Sequence, residues 1–329
     1  MKLLRRRWFR NILFFFPILI IITLIAFAIV YFSPGDAGNL LLMKHLSKNI
    51  VSKSDAADYA RRLGFDGSFF ELYGKWMKNI LRGDFGRSAL NGETVIKVFW
   101  SKYKITFLMA LISIAVEIII SFSMGLYAGI KKGSAADRFI NFWAVVSCAI
   151  PPFWIGLIAL WFLTIKLQWK HAIGYSGITS LIIPALIMGV ISMGFMSKIV
   201  RAKTRDVMNK GFVEFSYSQG LSNFDILIYH VLPHVLPAAI SIAILDLSSF
   251  LGGAVLMEKV FNIPGFGDTL IEAIKFKDYF LISGSLFFIG IMICALNLIA
   301  DTIYPKLDMR NENEIGSLNK RELLYAENY

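Results

Sequence analysis

The sequence predicts an all-α, polytopic membrane protein with six transmembrane helices. Three observations carry that expectation. With 56% hydrophobic and only 17% charged residues, the chain is too apolar to wrap a core in a polar shell as a water-soluble domain does. The apolar residues gather in six runs, near 11–32, 105–130, 139–167, 181–200, 237–257 and 280–304. Each is about 20 residues or longer, enough to cross a hydrocarbon layer ~30 Å thick. Basic residues crowd alternate connections, which fixes an orientation: Lys131, Lys132 and Arg138 lie in one turn, and Lys198, Arg201, Lys203, Arg205 and Lys210 precede another. The opposite short connection, 168–180, holds Lys170 alone.

Taken in order, residues 1–32 form a cytoplasmic N-terminus and a first span. Lys2, Arg5, Arg6, Arg7 and Arg10 precede an apolar run longer than the 7–15 residues of a signal-peptide core, so the run is read as retained. Residues 33–101 turn polar after Pro34-Gly35 and carry two expected helices, 56–63 and 69–81. Tyr73, Trp76, Phe85 and Trp100 there argue for a small folded or membrane-hugging external segment rather than a disordered linker. Residues 102–304 make a five-span core containing a cytoplasmic loop, 201–236, and residues 305–329 form a cytoplasmic tail. The net charge of +11 does not point to nucleic acid, because the basic residues sit at the ends of apolar runs rather than in an aromatic-interleaved patch.

The loop is the most informative stretch. Glu214 opens a helical run that stops at Gly220, a residue suited to ending a helix in the left-handed conformation. Ser222 and Asp225 have capping-box spacing and start a second run, expected to end at Pro233. Phe212, Phe215, Ser216 and Gln219 follow the i, i+3, i+4, i+7 order of one helix face. That face suits either a protein groove or a lipid surface.

Two acids lie inside spans, where charge is costly. Glu117 shares a stripe with Ser113, Ser121 and Gly125, and Asp246 shares one with Ala239, Ala243, Ser249 and Gly253. Such stripes either line a path or pack closely against another helix. Packing or an internal pair is favoured for Glu117. Asp246, Ser249 and Gly253 are candidates for a path.

Chemistry-bearing motifs are sparse. The chain has no G-x-x-x-x-G-K-[ST] phosphate loop, and no grouping suggests a hydrolytic triad, so no catalytic, cofactor or metal residue is assigned. Cys148 and Cys294 fall singly within apolar runs. His45, His171, His230 and His234 lie outside or at the edges of the spans, and the i, i+4 pair His230/His234 is assigned a structural or docking role rather than metal binding.

The order Glu214, Gly220, Pro233 resembles the EAA loop of permease subunits of binding-protein-dependent ABC importers. Three further blocks, residues 63–88, 149–156 and 251–279, resemble the dipeptide, oligopeptide and nickel branch. The last has a similar Gly-Gly, Glu, Phe, Pro-Gly-x-Gly and Asp-Tyr series; the loop departs from the usual small residues at Phe215 and Ser216.

The resemblance implies a bacterial-type inner- or plasma-membrane subunit, half of a translocation path, joined by a second homologous permease in a heterodimer. It also implies two cytoplasmic ATPases that carry ATP and Mg, and an external substrate-binding protein. On this reading Phe212, Glu214, Phe215, Ser216, Gln219 and Gly220 couple to an ATPase. Segment 33–101 and loop 258–279, including Pro264, Gly265, Phe266 and Gly267 as a tight turn with an exposed aromatic, dock the binding protein. The alternatives are an ATP-independent carrier or channel, and a membrane enzyme or assembly factor with no transport role. No span interior holds a histidine and the cysteines are isolated, so peptides or chelated metals are favoured over a bare transition-metal ion.

Overall fold

The computed structural model describes residues 2–46, 52–169 and 172–307. Lys170, His171 and the expected tail beyond 307 lie outside the described residues. Among those residues the fold is helical, with no strand and one isolated bridge, Arg87 to Thr94. In chain order the helices are α1 Lys2–Phe32, α2 Ala37–Leu46, α3 Lys53–Leu63, α4 Phe69–Ile80, α5 Val95–Ile130, α6 Ala135–Ala149 and α7 Pro152–Trp161. They continue with α8 Thr179–Met208, α9 Gly211–Ser218, α10 Asn223–Ile226, α11 Leu232–Phe261, α12 Phe266–Lys275 and α13 Tyr279–Leu307.

Four stretches among the described residues, Val95–Ile130, Thr179–Met208, Asn223–Phe261 and Tyr279–Ile303, are long and apolar enough to cross a membrane, and two bent pairs raise the number to as many as six if each pair is one span. The first pair, Phe16–Phe32 with Ala37–Leu46, bends by 76°. The second, Ala135–Ala149 with Pro152–Lys166, bends by 92°, so the run expected across 139–167 is a broken helix rather than a straight one. The cause is local: Pro151 and Pro152 lack N–H groups, and Pro151 disfavours helical geometry at Ile150, which is extended at φ −109°, ψ 119°.

The chain divides into two compact units. The first comprises the described residues within 2–109, 160–181 and 251–295. Its core gathers Phe27, Val30, Leu72, Val95, Val98, Ala273, Tyr279, Leu281 and Ile282. The two helices expected in segment 33–101 are present: Gly64, left-handed at φ 74°, ends α3, and a Ser68/Glu71 capping box opens α4. Helix α4 lies along α1. The Tyr73 hydroxyl donates to Ile20 O (3.2 Å) and meets Thr23 Oγ1 at 3.0 Å, while its ring packs edge-on against Phe27. Thr23 lies nine residues before the end of α1, about 14 Å along the helix, so the amphipathic α4 flanks the C-terminal half of α1. On the far side of this segment Phe70 and Leu81 stand exposed, at 79% and 82%.

The second unit comprises, among the described residues, 110–159, 182–250 and 296–307. Helices α5 and α8 approach closely through small residues. A Cβ on Gly125 would stand 2.8 Å from Val200, one on Gly129 2.5 Å from Thr204, and one on Gly189 2.5 Å from Ser113 O. The Ser121 hydroxyl donates to Met193 O at 3.2 Å across the same seam. The stripe Ser113, Glu117, Ser121, Gly125 is therefore a packing surface. At the end of that seam Asp137 ion-pairs with Arg201 and with Arg205 (3.3 Å), and accepts from Gly133 N at 2.8 Å. Arg205 also donates to Ala128 O at 3.2 Å. These bonds tie the start of α6 to the last turns of α8.

Candidate functional site

Two features organise the possible chemistry: the loop after α8 and the turn after α11. In the loop, α9 is held by its inner face. Val213 is buried with Ile226, Val231 and Val235, and Ser216 is turned the same way. The Ser216 hydroxyl donates to Phe212 O (2.8 Å) and lies 3.4 Å from His230 Nε2. The Phe212 ring stacks on His234 at 5.6 Å and carries the Lys210 ammonium over it. Both loop histidines are thus spent on holding α9.

Gly220 is left-handed at φ 81°, as its place in the sequence predicts, and its N–H donates to Tyr217 O at 2.9 Å. Ser222 then accepts from Asp225 N (3.2 Å) to start α10, and the Tyr217 hydroxyl donates to Asn223 Oδ1 (3.0 Å) across the break. The run does not end at Pro233. Leu227–Val231 form a π turn in which Leu232 N bonds Leu227 O, and Pro233, which has no N–H to donate, follows directly after this widened turn as the helix runs on into α11.

What remains outward is Glu214, Phe215, Gln219 and Gly220, with Phe212 partly so. Ser216 does not share that face, because α9 needs a second inward residue to pack its short length. Sequence reasoning missed the neighbours that complete the surface: Tyr217, Phe224 and Tyr229, exposed at 43%, 68% and 71%. Their signal was an aromatic in nearly every turn of a polar loop, and a cluster of exposed rings of this kind marks an interaction surface.

The turn after α11 is built on Glu258, which is fully buried. Its carboxylate accepts from the Thr106 hydroxyl and from Asp268 N (3.1 Å), while Thr106 in turn accepts from Phe266 N at 2.8 Å. Two side chains from elsewhere thereby serve the orphan N–H groups that open α12. Close approach explains the glycines. A Cβ at Gly265 would lie 2.2 Å from Glu258 Oε1, and one at Gly267 2.5 Å from Val255 Cα. The expectation of an exposed aromatic in this turn is corrected: Phe266 is 2% exposed and packs edge-on against Phe99 at 5.4 Å. Gly265 and Gly267 are buried too, and Pro264 is half-buried, because Glu258 draws the helix start inward.

Beyond α12, Lys277 is left-handed at φ 56° and sends its ammonium to Gly35 O (2.6 Å) and Ser33 O. Burial pulls that ammonium down from the usual lysine range, and the charge of Asp36 opposes the shift. The Asp278 carboxylate accepts from the Ser88 hydroxyl (2.7 Å), Leu90 N (3.2 Å) and Leu281 N (3.1 Å). Burial pushes this carboxyl up, against the hydrogen bonds from Ser88 and the backbone. Adjacent residues therefore clamp the end of α1 and the turn before α5 to the start of α13.

Of the span acids, Glu117 is fully buried and Asp246 half-buried, and their carboxyl groups lie close enough to act on each other. Ser249 and Gly253 continue outward along α11 from Asp246. Among the described residues, the ionisable group that acts on Asp246 is thus an acid rather than a base.

Residues 121–313, more than half of the chain, match the family described as binding-protein-dependent transport system inner membrane component. This chain belongs to that family. It is a membrane transport component of the ABC permease type. It is 29% identical over 314 residues to the oligopeptide transport system permease protein AppB of Bacillus subtilis, covering 92% of this chain and 98% of that one. It is 28% identical over 301 residues to the nickel import system permease protein NikB of Staphylococcus aureus, covering 91% and 90%. A solved structure of inward facing conformations of the MetNI methionine ABC transporter has a similar fold. Its TM-score is 0.50 at 18% identity, over 65% of this chain and 95% of that one.

Proposed function

We propose that this permease is one half of an ATP-driven importer of short peptides or metal chelates. A second homologous permease completes the path, two cytoplasmic ATPases hold ATP and Mg, and an external binding protein delivers substrate. The observation that carries the reading is the element α9–Gly220–α10. It is a short helix locked from beneath by Val213, Ser216 and Phe212, and it presents Phe215, Tyr217 and Phe224 outward where basic residues assign the cytoplasm. Both termini share that side. The outer face of α12, with Ile274 and Lys275 exposed, joins segment 33–101 as the surface offered to the binding protein.

The test is assembly and flux. Expressed with its ATPases and partner permease, the chain is expected to purify as a complex whose uptake into proteoliposomes needs ATP and binding protein. Uptake by the lone chain without ATP would establish a secondary carrier instead.

A finer expectation concerns Asp246, which keeps an exposed edge while Glu117 is sealed behind it. Its local negative field favours a cationic group such as a peptide amino terminus. Asp246→Asn is expected to leave assembly intact and to lower uptake of cationic peptides about three- to tenfold more than uptake of neutral ones. Equal loss across a charge series would assign the residue to structure.

A further inference from the structure

We propose that the external segment carries a binding site for the carboxylate of a short peptide or small organic acid, on the groove formed by α3, α4 and the turn 81–94. The groove, about 540 Å³, is lined by Tyr59, Arg62, Trp76, Asn79, Arg87 and Phe280 among others, and falls in the size range of small-ligand sites. A neighbouring hollow of about 450 Å³ shares Phe65, Trp76, Asn79 and Phe280.

Trp76 belongs to both and is 1% exposed, yet its indole N–H has no acceptor among the described residues. An indole nitrogen can only donate, so the missing partner must be an acceptor, and leaving such a donor buried and unmet is unfavourable. The cations around it point the same way. The Arg62 guanidinium has no hydrogen-bond or ion-pair partner among the described residues, and Arg87 donates one N–H to Gly92 O (3.2 Å), leaving others free. The acid lining this groove, Asp84, already accepts from Gly86 N at 2.9 Å. A carboxylate is an acceptor of the kind that both an indole N–H and a guanidinium call for, and the Phe65 and Phe280 rings suit the apolar body that bears it. Gly86, left-handed at φ 80°, lets the turn close onto Phe280, since a Cβ there would come within 3.1 Å of that ring.

This inference rests on the external placement of segment 33–101, so that placement is tested separately. The full complex, labelled with 5-fluorotryptophan and held in nanodiscs open to both faces, is titrated with trialanine and with trialaninamide while ¹⁹F resonances are followed. Trp76→Phe identifies the Trp76 signal. That signal is expected to shift saturably with trialanine and to need about tenfold more of the amide, and Arg62→Gln and Arg87→Gln are each expected to weaken trialanine about tenfold. Unchanged signals from the other tryptophans show that the variants are folded. An insensitive Trp76 signal, equal response to the amide, or arginine variants that bind as the parent does would overturn the site. So would a shift given by the binding protein alone with trialanine inert, since an acidic side chain would then be the source. Labelling of Arg62→Cys by a membrane-impermeant maleimide in right-side-out vesicles reports placement independently; failure there refutes the external reading whatever the titration gives.

Discussion

Glu258→Ala is expected to destabilise the permease by about 3 kcal/mol or more. The substitution strands the Thr106 hydroxyl and Asp268 N–H in a buried site, and an unmet buried donor costs roughly 1–3 kcal/mol, more where the lost acceptor is charged. Glu258→Gln keeps one acceptor oxygen in the same shape and should lose about half as much. Gly265→Ala is the complementary change, because its Cβ would stand 2.2 Å from Glu258 Oε1 and the carboxylate has nowhere to retreat. Equilibrium unfolding in mixed micelles orders the series, with the alanine variant least stable of the Glu258 pair. A Glu258→Ala protein as stable as its parent would show that the start of α12 is satisfied by other means.

Gly220→Val is expected to assemble and yet lose coupling. Nothing lies within 4 Å of a Cβ added at Gly220, so the change introduces no clash, only a left-handed backbone that a β-branched residue adopts at a cost of about 1–2 kcal/mol. That lowers the equilibrium constant for holding α9 in its docking geometry about five- to thirtyfold. Gly220→Asn is the control, since asparagine tolerates the same backbone and should couple nearly as the parent does. The readout is ATPase stimulation by loaded binding protein in the assembled complex. Normal stimulation in the valine variant would remove α9 from the coupling role.

What the sequence discloses here is mostly what is decided locally. The left-handed Gly220, the Ser222 cap, the helices after Ser52 and Ser68, and the spans at 105–130, 181–200 and 280–304 depend on residues within a turn or on hydropathy over a window. Elements settled by distant partners were not legible. Phe266 reads as exposed until Glu258 and Thr106 pull the helix start inward. Ser216 reads as part of an outward face until His230 and the Val213 side claim it. Helix α2 escaped notice because Gly38 interrupts a weakly patterned stretch. That glycine is needed where a Cβ would reach 2.2 Å from Ala56 O, a contact that lies across the hairpin with α3. Lys277 and Asp278 likewise look like ordinary charges at a span edge, and only the folded chain shows them clamping the ends of other helices.

The ion pairs at Asp137 bear on how the protein is made. Arg201 and Arg205 are among the positive charges that hold the end of α8 on the cytoplasmic side under the proposed topology, and insertion machinery reads such charges on a chain not yet packed. In the folded protein both are taken up by a single aspartate at the start of α6. One pair of guanidinium groups therefore acts twice in the life of the chain, first as an address and then as a rivet. Replacing Asp137 would leave the address intact and remove only the rivet, so such a chain would thread the bilayer correctly and fail afterwards, at the stage where helices find one another.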